Sequence, residues 1–144
     1  TAEAIALDVG DADDIHPRDK PSVGARLALH ARAMAYREND LVASGPRLRT
    51  STRDGRRVIL TFDHASGGLS TRDGLPLGGF ALADASGRWH WADARIEGGR
   101  VILQSDAVET PTLVRYAWAN NPVAATLVNA ENLPAAPFEV VVTE

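Results

Sequence analysis

Hydrophobic and polar positions follow two different periods along this chain, and the change falls near residue 40. Residues 4–9, AIALDV, form a short apolar run with a β-branched end, the pattern of a buried strand. An acidic loop follows, and residues 19–38, DKPSVGARLALHARAMAYRE, then predict a helix. Asp19 or its neighbour can cap that helix, and Pro21 falls in the first turn, where a missing N–H costs little. Val23, Leu27, Ala31 and Met34 recur at helical spacing, with Arg26, Arg32 and Arg37 set off from the stripe. Residues 1–39 therefore read as strand, loop and helix, a single α/β unit. One strand and one helix cannot bury a core, so the unit needs the rest of the chain or a further partner.

Beyond residue 40 the helical period disappears. Short apolar or alternating runs occur at 56–62, 78–84, 88–96, 100–105 and 112–118. Turn signals separate them: Asp54-Gly55, Asp73-Gly74, Ser86-Gly87 and Gly98-Gly99. Strands at this spacing predict an all-β antiparallel sandwich over residues 40–144, with residues 121–142 wrapping along it before a last strand. The boundary is expected at Glu38-Asn39-Asp40, ahead of Ser44-Gly45-Pro46. There is no internal repeat.

Composition acts mainly by exclusion. The 144 residues suffice for one domain, or a small domain with an appended piece. A net charge of -4 and a pI near 5.5 argue against nucleic acid as a partner. The absence of cysteine excludes disulfides, thiolate zinc sites and cysteine nucleophiles. No apolar run approaches the roughly 20 residues that span a bilayer, so no membrane partner is expected. The start, TAEAIALDVG, lacks the basic and apolar regions of a secretion signal. It enters a strand-like run at once, as if taken from within a longer protein.

Candidate chemistry centres on residues 11–17, DADDIHP. His30 lies beside the apolar stripe of the helix and reads as structural, while His64 and His90 belong to the β region. The His64–His90 gap does not give the three or four ligands at recognisable spacing that zinc requires, so no metal and no cofactor is expected. His16 differs, because it follows a predicted parallel strand and precedes a helix, where reactive groups collect in open α/β sheets. Asp13 and Asp14 lie three and two residues before it. A carboxylate so placed can hold the imidazole Nδ1–H and stabilise the imidazolium formed when Nε2 takes a proton. The competing reading is an acidic Asx-rich turn closed by Pro17.

The run DVGDADDIHPRDKPSVGARLAL resembles a block of the sialate O-acetylesterase-like carbohydrate esterases, within the SGNH hydrolase group. That block reads G-D-x-x-D-I-H-P-x-x-K-x-x-V-G-x-R-L-A, matched here from Gly10 to Ala28. SGP (44–46), FDHASGGL (62–69), GFALAD (79–84), WADARI (91–96), VRYAWANNP (114–122) and NAENLPAAPF (129–138) resemble the C-terminal β-domain of the same enzymes. The resemblance implies the C-terminal portion of a serine esterase that removes acetyl groups from sugars, with His16 as general base. The D-x-x-H spacing of the wider group favours Asp13 as its partner, with Asp14 as a second orienting or loop-structuring residue. The family's serine and oxyanion-hole blocks are missing, and SGP, STRDG, ASGGLS and ASGR follow no strand-to-helix elbow. This chain is therefore expected to be incomplete, a fragment or more readily a cleavage product. It would supply His and Asp to a serine on an N-terminal portion of the same protein.

The resemblance further implies an acetylated carbohydrate substrate, sialic acid or plant cell-wall saccharide, and a periplasmic or secreted location. The Ala- and Arg-rich composition suggests a bacterial source. Trp89, Trp91, Tyr116 and Trp118 read first as sandwich core and second as a sugar-stacking platform. That second reading belongs to the alternative for the whole chain, a non-catalytic β-sandwich that binds carbohydrate or serves as a scaffold.

Overall fold

In the computed structural model, which describes residues 1–16 and 18–144, the helix begins where its cap permits. Asp19 accepts from the Ser22 N–H at 3.0 Å and the Ser22 hydroxyl at 2.6 Å, and α1 runs from there over Lys20–Ala35. The two Ser22 bonds hold the Asp19 carboxyl below its usual pKa. At the other end Tyr36 N–H returns to Arg32 O, and Arg37 turns the chain through a positive φ of 56°.

The predicted strand at 4–9 does not form. Those residues make a half-buried turn instead, closed by Val9 N–H to Ala6 O at 3.2 Å. A strand needs a neighbour for its backbone groups, and none of the described strands pairs with this segment. The helix is also rotated from the expected stripe. Ser22, Val23, Arg26, Leu29, His30 and Ala33 are partly covered, whereas Leu27 and Met34 are half exposed and Ala31 is exposed. Arg26 turns inward because it has a buried carboxylate to meet, and that rotation leaves Leu27, Ala31 and Met34 of the stripe uncovered.

The β region follows the expected pattern more closely. In chain order come β1 (Arg47–Asp54), β2 (Arg57–Asp63), β3 (Leu69–Thr71), β4 (Phe80–Ala83) and β5 (Trp89–Trp91). Then follow β6 (Asp93–Glu97), β7 (Arg100–Gln104), β8 (Leu113–Tyr116), β9 (Leu127–Asn129) and β10 (Phe138–Val141). They form antiparallel sheets in the orders β1-β2-β7-β6 and β10-β8-β4-β5, with β3-β9 as a small third. Gly98-Gly99, both at positive φ, make the two-residue β6–β7 turn, as their sequence signals. The single run at 88–96 divides at Ala92, because its first half pairs with β4 and its second with β7.

Alternation builds the core. Val58, Leu60, Val101 and Leu103 from one large sheet meet Phe80, Leu82, Val114 and Tyr116 from the other in one buried cluster. Tyr116 stacks on Phe80 with ring centroids 4.5 Å apart, and its hydroxyl accepts from Leu127 N–H at 3.1 Å. Burial pushes its phenol up to about 12, above the ordinary value near 10. The unfolded chain therefore ionises first, so stability is complete below about pH 10 and is lost as pH rises toward about 12. Denaturant unfolding measured across that window should lose about 2–3 kcal/mol that Tyr116→Phe does not lose.

A close backbone crossing also fixes the β region. A Cβ on Gly45 would lie 2.0 Å from Pro134 O, so the loop before β1 passes the loop after β9 only as glycine. Gly45→Ala should destabilise by about 3 kcal/mol in denaturant unfolding.

Candidate functional site

Tandem Asx turns give residues 11–16 their shape. Asp11 Oδ1 accepts from Asp13 N–H at 3.1 Å, and Asp14 Oδ1 accepts from His16 N–H at 2.9 Å. The same Asp14 oxygen lies 3.0 Å from His16 Nδ1. An ionised carboxylate can only accept, so this contact puts the ring proton on Nδ1 and leaves Nε2 as the basic nitrogen. The imidazole is 75% exposed, open to an incoming group. The Asx-turn reading and the oriented-histidine reading thus describe one geometry. Asp14, rather than Asp13, touches the ring; Asp13 contributes its N–H to the preceding turn. Pro17 lies outside the described residues.

The loop sits between two anchors. Asp19, the helix cap, fixes its far end. Before it, Asp8 is nearly buried at 6% side-chain exposure and receives both Arg26 Nη1 and Nη2, at 2.6 and 2.7 Å. Arg72, from the segment after β3, reaches the same carboxylate at 3.1 Å. Arg26 also donates to Ile5 O at 2.7 Å. One carboxylate therefore joins the N-terminal segment, α1 and the β region. Burial lowers the pKa of the Arg26 guanidinium. Sequence reasoning missed this group, although an aspartate inside the apolar run AIALDV was a signal that a buried cation must face it.

Three quoted blocks prove to be one structural joint. Asn129, buried, donates its amide to Ser44 O and His64 O, each at 3.0 Å. Its Oδ1 accepts from Leu133 N–H at 3.0 Å. SGP, FDHASGG and NAENLP are thereby tied together through backbone carbonyls. The serines of the other runs are placed as follows. Ser51 is buried within β1, Ser66 and Ser70 are exposed, and Ser86 bonds to Asp84 in the β4–β5 turn. Among the described contacts of His16 there is no serine hydroxyl.

The tryptophans correct the expectation of an aromatic core. Tyr116 is buried there, but Trp91 is 77% exposed and Trp118 58%. Register explains the difference: Phe80 and Leu82 point inward, so Ala81, and Trp91 and Arg115 level with it, take the outer face. The Arg115 guanidinium lies 3.9 Å from the Trp89 ring centroid and 5.2 Å from that of Trp118, and it pairs with Glu139. Gly79, Ala81, Trp89, His90, Trp91, Arg115 and Trp118 surround a depression of about 400 Å³.

Comparison with known proteins follows the geometry. No family model matches the chain. Sialate O-acetylesterase from Rattus norvegicus is 31% identical over 155 residues, covering 99% of this chain and 28% of that protein. The Homo sapiens sialate O-acetylesterase is 50% identical over 50 residues, 32% of this chain and 10% of its own length. A solved carbohydrate acetylesterase from Xanthomonas citri superposes with a TM-score of 0.90 at 45% identity, over 95% of this chain and 32% of that one. The fold is thus that of a β-rich portion of a carbohydrate esterase. In sequence and structure the chain matches the C-terminal portion of a sialate O-acetylesterase-like carbohydrate esterase. It spans about 28% of the length of the rat and mouse relatives.

The Asp8 junction yields its own test. Asp8→Ala leaves Arg26 buried without a counter-charge and should cost about 3 kcal/mol at the joint. Hydrogen exchange should show α1 amides losing protection while those of β2, β4, β7 and β8 keep theirs.

Proposed function

We propose that this chain is the C-terminal part of a serine carbohydrate O-acetylesterase of SGNH type and brings the general base to the reaction. The 3.0 Å contact between His16 Nδ1 and Asp14 carries this reading. It supplies an oriented, exposed imidazole inside the block that resembles the esterase motif. A serine on the N-terminal portion of the same protein supplies the nucleophile. Leu27 and Met34 on α1, with Ile15 in the histidine loop at 91% exposure, support such a partner, because these apolar side chains are left for it to cover.

The chemistry then runs in two halves. His16 Nε2 takes the serine proton as the serine oxygen attacks the acetyl carbonyl, and the Asp14 carboxylate stabilises the imidazolium. Collapse breaks the bond to the sugar oxygen, which receives the proton from Nε2. Water, deprotonated by the same nitrogen, attacks the acetyl-serine, and its collapse releases acetate and restores the serine. The substrate is an acetylated saccharide, of sialic acid or plant cell wall, and the enzyme is periplasmic or secreted; the relatives' resemblance supports the acetyl-sugar class.

In the full-length enzyme, His16→Ala should abolish hydrolysis of p-nitrophenyl acetate. Asp14→Asn should lower kcat roughly 100-fold or more, with a smaller loss for Asp13→Asn. Full activity after His16→Ala would overturn the assignment, and a larger loss at Asp13 would return the orienting role to the D-x-x-H aspartate.

A further inference from the structure

The outer face of the β10-β8-β4-β5 sheet has a construction that the esterase chemistry leaves unused. Pairing aligns one row across it: Trp91 on β5, Ala81 on β4, Arg115 on β8 and Glu139 on β10. Ala81 has a single methyl, and Gly79 none, so the floor is low between the indoles. Trp89 and Trp91 lie two residues apart on one strand, with Cα atoms about 7 Å apart and rings on the same face. Trp118 closes the depression from beyond the end of β8. Its volume of about 400 Å³ falls within the roughly 300–1,000 Å³ of small-ligand sites.

The charge of the site narrows the ligand. Arg115 is the cation lining the depression, and it is already spoken for: Glu139 takes its Nε, and Trp89 lies against its face. The pair leaves the row near neutrality, with guanidinium N–H donors and a carboxylate acceptor beside the exposed rings of Trp91 and Trp118. An acidic sugar would meet Glu139 as well as Arg115. A neutral pyranose offers what the site lacks, an apolar C–H face to cover an indole and a rim of hydroxyls to exchange hydrogen bonds with fixed polar groups.

We propose that this face binds a neutral oligosaccharide, with one pyranose ring stacked on Trp91 and its hydroxyls against Arg115. The site is separate from the His16 loop and does not depend on the esterase reading. Its occupant would be held there rather than react.

The test is calorimetric titration of the full-length enzyme with cellohexaose, xylohexaose and maltohexaose, alongside N-acetylneuraminic acid. At least one neutral oligosaccharide should bind saturably and better than the acidic sugar. Trp91→Ala and Trp118→Ala should each weaken it about tenfold or more, with unchanged thermal unfolding. Both variants should hydrolyse p-nitrophenyl acetate normally, whereas His16→Ala should lose hydrolysis and keep binding. No saturable binding of any neutral oligosaccharide, preference for the acidic sugar, or binding indifferent to both tryptophans would overturn the proposal. So would an indole at position 91 that acrylamide cannot quench in the full-length enzyme, since the face would then be covered by protein.

Discussion

The Asp8 carboxylate, held between Arg26 and Arg72, is the interaction on which the arrangement of this chain depends. α1 has no fully buried residue, and Arg26, at 12% side-chain exposure, is what ties it to the rest of the chain through Asp8. Two guanidinium groups converging on one nearly dry carboxylate compensate the desolvation that any one of them would suffer alone. The geometry is bidentate from the helix side, so it sets angle as well as distance. The histidine loop inherits its placement from this joint, because it spans the short gap between Asp8 and the Asp19 cap.

Local rules made much of the β region legible. Alternation and turn chemistry locate β2, β4, β7, β8 and the glycine turns, because those signals reside in neighbouring residues. β1 was not seen, since RLRTSTRD carries one apolar residue and earns its place by pairing with β2. The division of 88–96 at Ala92 was equally hidden, because only tertiary pairing tells which sheet each half joins. The strand at 4–9 failed for the converse reason: its apolar pattern fits a sheet position that this chain's described strands do not offer.

The site was legible in residue type and incompletely so in geometry. His16 stood out through its neighbours, yet the spacing that pointed to Asp13 says nothing about the turn that carries Asp14 to the ring. SGP and NAENLP, singled out for their resemblance to the esterase β-domain, serve as joinery around Asn129. The tryptophans went the other way. Hydropathy assigns an indole to the core, but alternation against Phe80 and Leu82 puts Trp89 and Trp91 outside.

The path of the chain at the two sides of the sandwich has a further effect. On one side Ala92 carries β5 directly into β6, from one large sheet to the other. On the other, residues beyond β10 cross to β1, where Thr143 N–H bonds Ser51 O and Thr143 O accepts from Arg53 N–H, both at 2.8 Å. The outer edge of β1 is therefore partly occupied by the chain's own final residues. An unpaired edge strand recruits strands from other molecules and seeds aggregation. By folding its tail onto that edge, the protein shields a polar, extended strand from its neighbours, and it can display tryptophan on an open face without also offering a free ladder beside β1.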